Sequence, residues 1–331
     1  MLLTSVFSDV RDQYVWAAGP LTRLLESASA DRFKIHTLTD DPEKADLILF
    51  AEMADLGHYM MTDVLSHPLY KQYSNKVFLY WPADKIIPRV PGIYASIEKQ
   101  WYRADRTRGG CYLDSYSNPY VKHRKLEPDA QYLASFVGSV STHPVRQQIL
   151  KLNSDRFLLE DVSKNSLKHK MADLDDKDKH HFWENFANTL ADTKFPLCPR
   201  GEGCSSIRLF ESMEMGRAPV IISDDWVPVE GPKWEEFSLR VAESDVANIP
   251  SLLQSNEHRA VEMGEIARGE WENWFSEKVI FHRMVEACLD IMQIRQRPES
   301  IERRIAEIQY LRPYHAKAFL RPYIKRLLRR D

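Results

Sequence analysis

The sequence predicts an α/β protein in which two Rossmann-like, doubly wound domains face a cleft. A length of 331 residues exceeds what a single core usually holds, so two domains are expected. In the first half, short apolar runs alternate with helix-like segments, which is typical of a parallel sheet. Residues 194–225 repeat that alternation around a glycine-containing loop. We predict an N-terminal domain over 1–165, a C-terminal domain over 166–300 and a basic helical tail over 301–331.

The elements of the first half follow from runs of apolar residues. A helix is expected over 13–28, and residues 82–131, rich in proline, predict an irregular stretch. The strands are expected over 2–8, 33–38, 46–52, 76–81 and 132–138.

The segment 194–225 is the most informative part of the chain. A strand from Phe195 to Cys198 enters the loop, and Ser205 and Ser206 offer hydroxyl N-caps to a helix. Gly216 ends that helix, and the next buried strand follows. The free N–H groups and the positive dipole end of such a helix favour a phosphate.

The loop carries side chains that suit a nucleoside diphosphate. Arg200 and Arg208 can form charge-assisted hydrogen bonds with phosphates, and Glu211 can accept hydrogen bonds from ribose hydroxyls. An ordinary glycine loop stays an alternative, because Gly201-x-Gly203 lacks the third glycine of the dinucleotide fingerprint. The predicted site comprises Arg200, Gly201, Gly203, Ser205, Ser206, Arg208 and Glu211.

The segment also resembles the exostosin family of glycosyltransferases in its order of residues. The shared features are Cys198-Pro199-Arg200-Gly201, Ser206-Ile207-Arg208, Glu211 and the run from Gly216 to Ile221. Weaker similarities extend the resemblance over residues 33–255. They are Thr39 to Leu47, Phe136 to Ser139 followed by Arg146, and Trp234 to Val241.

The resemblance implies a GT-B architecture with the nucleotide-sugar site in the second domain. It implies a hexosyl- or glucuronosyltransferase of polysaccharide biosynthesis that moves a sugar, with inversion, from a UDP-sugar. The acceptor would be a hydroxyl of a glycan or lipid-linked glycan. Leu49 to Glu52 and Tyr116 to Tyr120 depart from the family pattern in the acceptor half. The alternative is a non-catalytic nucleotide-sugar- or glycan-binding partner of a glycosyltransferase.

An inverting transfer needs one general base near the acceptor hydroxyl. In this architecture the base should follow a strand of the first domain, because ligands lie beyond the carboxyl ends of the strands. Glu52, Asp84 and Asp9 satisfy this rule, and we rank them in that order. Each of them could equally be a helix cap or a surface ion-pair partner.

No metal and no cofactor are expected. Asp173-Leu174-Asp175 and Asp176-Lys177-Asp178 match the D-x-D pattern of metal-binding glycosyltransferases, but they lie in a charged run that is typical of a solvated loop. Arg200, Arg208 and the helix dipole would neutralise the diphosphate instead.

The net charge of −3 gives no general attraction to nucleic acid. The N-terminus lacks a signal-peptide pattern and no long apolar run is present, so we expect a cytoplasmic protein. From Arg312 onward the tail carries seven basic residues beside an apolar side, with Asp331 as the one acid. The tail could dock on an anionic membrane as a peripheral anchor or pack on the first domain.

Overall fold

The computed structural model describes residues 1–4, 19–52, 61–84, 86–113, 118–163 and 176–309, and six isolated positions of the tail. Its described strands form two sheets of five parallel strands each. The first sheet runs in the order β1 (Leu2–Thr4), β2 (Ile48–Ala51), β3 (Val77–Trp81), β4 (Gly92–Tyr94) and β5 (Thr107–Gly109). The second runs in the order β7 (Phe157–Asp161), β6 (Tyr132–Gly138), β8 (Thr193–Pro199), β9 (Val220–Ile222) and β10 (Leu239–Val241).

Helices connect the strands and cover the sheets. In the first half they are α1 (Pro20–Ala30), α2 (Thr62–Ser66) and α3 (Pro68–Tyr73). In the second half they are α4 (Pro144–Ile149), α5 (Asp176–Ala191), α6 (Ile207–Met215), α7 (Trp234–Phe237), α8 (Ile249–Asn256) and α9 (Ala260–Trp274). The C-terminal helices are α10 (Ile280–Ile294) and α11 (Glu299–Gln309).

The central strands are buried on both faces, as the sequence pattern requires. Every residue of β3 and of β8 is buried. Strands of a parallel sheet that is covered by helices on both faces carry near-continuous apolar runs rather than alternating ones. The two parallel sheets confirm the predicted α/β fold class with two Rossmann-like domains.

The strand order of the second sheet marks a ligand site. If β6 is counted as the first strand of this sheet, the strand order is 2-1-3-4-5. The second strand is added on one side of β6 and the later strands on the other side, so the switch point lies between β6 and β8. Ligands of doubly wound folds bind at such a switch point, beyond the carboxyl ends of the strands. Gly138 and Pro199 end the two strands that flank it.

The strand pairing differs from two expectations. Strand β6 pairs with β7 on one side and with β8 on the other, so the change of sheet falls between residues 109 and 132, ahead of the boundary predicted at 165. Residues 33–38, expected as a strand, are irregular. The Met1 ammonium donates to the Thr37 carbonyl and Thr39 N–H donates to the Met1 carbonyl, both at 2.9 Å, which ties this segment to the amino end of β1.

Helix α11 packs on the first domain through its charged face. The Arg106 guanidinium donates to both carboxylate oxygens of Glu299 at 2.7 and 3.1 Å, and both side chains are almost fully buried. Arg103 donates to Glu302 at 2.8 Å. The start of the predicted tail therefore contacts the first domain. Within the part of the chain that the structure describes, no helix is long and apolar enough to cross a membrane.

Candidate functional site

The predicted strand-loop-helix-strand unit is confirmed. Strand β8 ends at Pro199, Ser206 is the N-cap of α6, and Gly216 ends the helix in the left-handed region with φ of +82°. Strand β9 then lies beside β8 in parallel register. The N-terminus of α6 thus lies at the switch point, where its unpaired N–H groups can meet an anion.

Arg146, on α4, ties together the two strands that flank the switch point. Its guanidinium donates to the Arg200 carbonyl at 2.8 Å, to the Pro199 carbonyl at 3.3 Å and to the Ser139 carbonyl at 3.0 Å. These carbonyls follow the ends of β8 and β6. A Cβ at Gly201 would lie 3.0 Å from Arg146 Nη2, so glycine suits this close approach.

Arg208 lies in the first turn of α6 and shares an aromatic ring with Arg146. The guanidinium carbons of Arg208 and Arg146 lie 4.9 and 5.7 Å from the centroid of Phe136, and Arg208 also contacts Phe186 at 5.5 Å. Arg208 donates a hydrogen bond to the Val137 carbonyl.

These two guanidiniums form a local excess of positive charge. Among the described residues, neither one has a carboxylate within salt-bridge distance. Burial and the charge of Arg208 lower the pKa of Arg146 to about 10, and burial lowers the pKa of Arg208. Arginine side chains keep their charge in proteins, so an anion between these two guanidiniums would be attracted by both of them.

Arg200 has a different environment. Its guanidinium lies 3.1 Å from an Asp225 oxygen, 3.5 Å from a Glu243 oxygen and 3.6 Å from a Glu98 oxygen. These carboxylates follow β9, β10 and β4, so Arg200 joins loops of both sheets. Because three carboxylates already surround Arg200, its predicted contact with a diphosphate would need them to move, and that role stays a prediction.

The glycine loop touches the first domain at Gly203. A Cβ at this position would lie 2.2 Å from Ser96 Oγ, 2.8 Å from Asp84 Oδ1 and 2.9 Å from Asp84 Cα. Ser205 N–H donates to Ser96 Oγ at 3.1 Å. Ser96 and Asp84 follow β4 and β3, so the carboxyl ends of both sheets meet at this loop.

The three predicted bases differ in position. Asp84 lies beside the loop, is partly buried and accepts a hydrogen bond from the Tyr112 hydroxyl at 3.2 Å. Glu52, ranked first from the sequence, is 0% exposed at the end of β2, so an acceptor could reach it only by displacing its neighbours. Asp9 lies outside the described residues. Proximity to the loop therefore favours Asp84.

The remaining loop side chains lie near the helix start. Among the described parts of the chain, Ser205 Oγ is buried without a hydrogen-bond partner and the Ser206 side chain makes no cap hydrogen bond. Glu211 lies one turn after Arg208 and is partly buried. The Ser205 hydroxyl is therefore available to a bound ligand.

The two cysteines beside the loop are poor nucleophiles. Burial raises the pKa of Cys198 and of Cys204 to about 12, so both remain thiols at neutral pH. Only the thiolate is an effective nucleophile.

Sequence reasoning missed several residues of this site. It assigned no role to Ser96, Glu98, Asp225 or Glu243, and it quoted Arg146 only as part of the resemblance. The rule that ligands lie beyond the strand ends could have found Ser96 and Glu98 only if β4 had been recognised within the irregular stretch 82–131.

A comparison with protein-family models gives one match to the chain. Residues 113–256 match the model described as the Exostosin GT47 domain. The resemblance predicted from residues 195–225 is thereby confirmed, since this part of the chain is similar to exostosin GT47 domains. The similarity noted at residues 39–47 lies outside the matched segment.

Curated relatives match the chain over part of their length. The Exostosin-1 homolog of Caenorhabditis elegans is 31% identical over 160 residues, which cover 45% of this chain and 42% of that protein. A probable glucuronosyltransferase of Oryza sativa subsp. japonica is 31% identical over 156 residues, 46% of this chain and 34% of that protein. The chain thus spans less than half the length of these relatives.

Two solved structures align with most of the chain at low similarity. A glycosyltransferase from Rickettsia africae covers 88% of this chain and 98% of its own, with 12% identity and a TM-score of 0.42. Anabaena Alr3699/HepE, solved in complex with UDP, covers 82% of this chain and 93% of its own, with 10% identity and a TM-score of 0.34.

We expect Gly203→Ala to displace the loop, because the new Cβ would lie only 2.9 Å from the Asp84 backbone. Overpacking of this kind costs about 1–3 kcal/mol. The change should lower the midpoint of thermal unfolding. The matched control is Gly269→Ala, since nothing lies within 4 Å of its Cβ position. An unchanged unfolding midpoint in Gly203→Ala would contradict the close contact.

Proposed function

We propose that this chain, which matches the Exostosin GT47 domain over residues 113–256, is a glycosyltransferase that binds a nucleoside-diphosphate sugar at the loop between β8 and α6. The observation that carries the proposal is the pair Arg146 and Arg208. Their guanidiniums lie near one ring at a topological switch point, and no described carboxylate pairs with either. Such a site favours a diphosphate, which brings two negative charges to two cations.

We further propose a UDP-linked donor. Glu211 lies one turn after Arg208, so it can accept hydrogen bonds from the ribose, and Ser205 Oγ can contact a phosphate or sugar oxygen. Relatives named as glucuronosyltransferases favour a glucuronosyl donor over other hexosyl donors.

The proposed transfer inverts the anomeric carbon in a single displacement. The Asp84 carboxylate takes the proton from the acceptor hydroxyl, and that oxygen bonds to the anomeric carbon. The bond from the anomeric carbon to the diphosphate oxygen breaks at the same time, and UDP leaves with the electron pair. Burial and the Tyr112 hydrogen bond hold Asp84 in place for this step.

We propose that the transfer needs no metal. The charge that develops on the leaving diphosphate faces Arg208, Arg146 and the free N–H groups at the start of α6. Positive groups preorganised at the place where charge develops are a major source of catalysis, and here they supply what a divalent ion supplies elsewhere.

We propose a hydroxyl of a glycan or lipid-linked glycan as the acceptor, reached at the cytoplasmic face of a membrane. Helix α11 packs on the first domain through its charged face. Three apolar side chains of this region stay accessible: Ile301 is 48% exposed, Ile308 is 67% exposed and Leu311 is 56% exposed. The sequence that follows is basic. An exposed apolar face beside basic residues suits an anionic bilayer surface.

We expect Arg208→Ala to lower kcat/KM at least about 30-fold, equivalent to about 2 kcal/mol, because the leaving diphosphate loses a cation. The measurement is UDP release from a panel of UDP-sugars in EDTA, with and without a glycan acceptor mixture. Arg240→Ala is the matched control, since Arg240 also stacks on a ring, at 5.4 Å from Trp226, but lies exposed on β10.

Three outcomes of this assay bear on the proposal. Turnover kept in EDTA and lost in Arg208→Ala supports a metal-independent transferase and names the sugar. UDP binding without turnover of any donor would favour a non-catalytic partner of a glycosyltransferase. Normal turnover in Arg208→Ala would overturn the role of this arginine.

We expect Asp84→Asn to lower kcat by about 10²–10⁴-fold, because the amide cannot accept the acceptor proton. The KM for the donor should change little, and Asp129→Asn, at an exposed loop position, should leave both constants unchanged. Normal kcat in Asp84→Asn would place the base elsewhere, with Glu52→Gln as the next variant.

Membrane docking predicts sedimentation with vesicles that contain phosphatidylglycerol but not with vesicles of phosphatidylcholine alone. The double change Ile301→Ser and Ile308→Ser should weaken sedimentation about tenfold, because two exposed apolar side chains leave the bilayer surface. Leu38→Ser, at a position 42% exposed on another surface, is the control. Equal sedimentation of all variants would exclude α11 as the docking face.

A further inference from the structure

Three side chains outside the cleft converge although they are distant in sequence. His36 lies in the irregular segment after α1, and His282 and Glu286 lie one turn apart on α10. One ligand atom from each lies within 4.8 Å of the other two. We propose that His36, His282 and Glu286 form a binding site for a divalent transition-metal ion of the zinc class.

The local structure brings the three groups to one place. Residues four apart on a helix share a face, so His282 and Glu286 project toward the same neighbour. His36 Nε2 lies 2.6 Å from Glu286 Oε1, and the His36 and His282 rings are stacked with centroids 5.0 Å apart. Metal–nitrogen bonds of about 2.1 Å imply ligand atoms about 3.4 Å apart in a tetrahedral site, so small rotations of the side chains suffice.

His282 supplies an independent indication of a ligand. The residue is only 7% exposed, and its buried Nδ1 has no hydrogen-bond partner among the residues that the structure describes. The His282 ring stacks on the Phe33 ring, with the two centroids 4.0 Å apart. This contact explains the packing of the imidazole but gives Nδ1 no hydrogen bond.

The chemistry of the donor set selects the ion. Two imidazole nitrogens and one carboxylate suit zinc, cobalt, nickel or iron rather than magnesium or calcium, which prefer oxygen ligands. Three protein ligands leave a fourth position for water.

The position of the cluster indicates a structural role. Residues 37–39 hydrogen-bond with Met1 at the amino end of β1, whereas the nucleotide-sugar loop faces the carboxyl ends of the strands. A metal here would join the segment after α1 to α10, on the opposite side of the first sheet from the transfer site. The proposal therefore concerns the stability of the first domain and is independent of the transfer chemistry.

The experiment titrates Co²⁺ into the tag-free full-length chain after treatment with EDTA and dialysis. We expect d–d absorption bands of inner-sphere coordination, one Co²⁺ per chain and displacement of the bands by Zn²⁺. Zn²⁺ at 100 times its Kd should raise the midpoint of thermal unfolding by about 5 °C. Affinity should fall at acid pH, because protons compete with the metal for the ligand atoms.

The variants are His36→Gln and Glu286→Gln. Each replaces one proposed ligand that is partly exposed, so we expect the protein to stay folded. Each should weaken Co²⁺ binding at least 100-fold, while His258→Gln, at an exposed position on another surface, should not. An absence of Co²⁺ bands in the unchanged chain, or equal affinity in the variants, would overturn the proposal and leave a stacked ring cluster. Neither readout depends on glycosyl transfer, so failure of this proposal and failure of the proposed function are distinguishable.

Discussion

The hydrogen bonds of Arg146 to three main-chain carbonyls hold the loop between β8 and α6 where it is. In a doubly wound sheet, the connections of the strands on either side of the switch point run in opposite directions. The guanidinium supplies donors to the ends of both β6 and β8 at once. The glycine loop, the start of α6 and the position of Arg208 all depend on that connection.

The arginines around the loop divide into two electrostatic classes. Arg200 is surrounded by carboxylates of both domains, so its ion pairs link the two domains. Arg146 and Arg208 lie near an aromatic ring without a described carboxylate partner, so their charge is available to a ligand. A sequence motif does not distinguish these cases, because the difference lies in which distant carboxylates the fold brings near.

The sequence was sufficient to predict the fold class, the strand-loop-helix-strand unit and the similarity of its second half to exostosins. Those features depend on local patterns: apolar runs, serine caps and a glycine stop. The change from the first sheet to the second between residues 109 and 132 was not predictable, because the partner of a parallel strand depends on the packing of the whole sheet. The same is true of the contact between Gly203 and Asp84, and of the cluster that joins His36 to His282, since neither pair has a sequence signature.

The absence of a side chain at Gly203 has a consequence for movements within the cleft. The loop main chain there lies against Ser96 and Asp84 without room for one additional carbon atom. A movement of the loop toward the first domain must therefore displace the segment that carries Asp84. A ligand that pushes the loop in that direction would also shift a candidate base on the other domain.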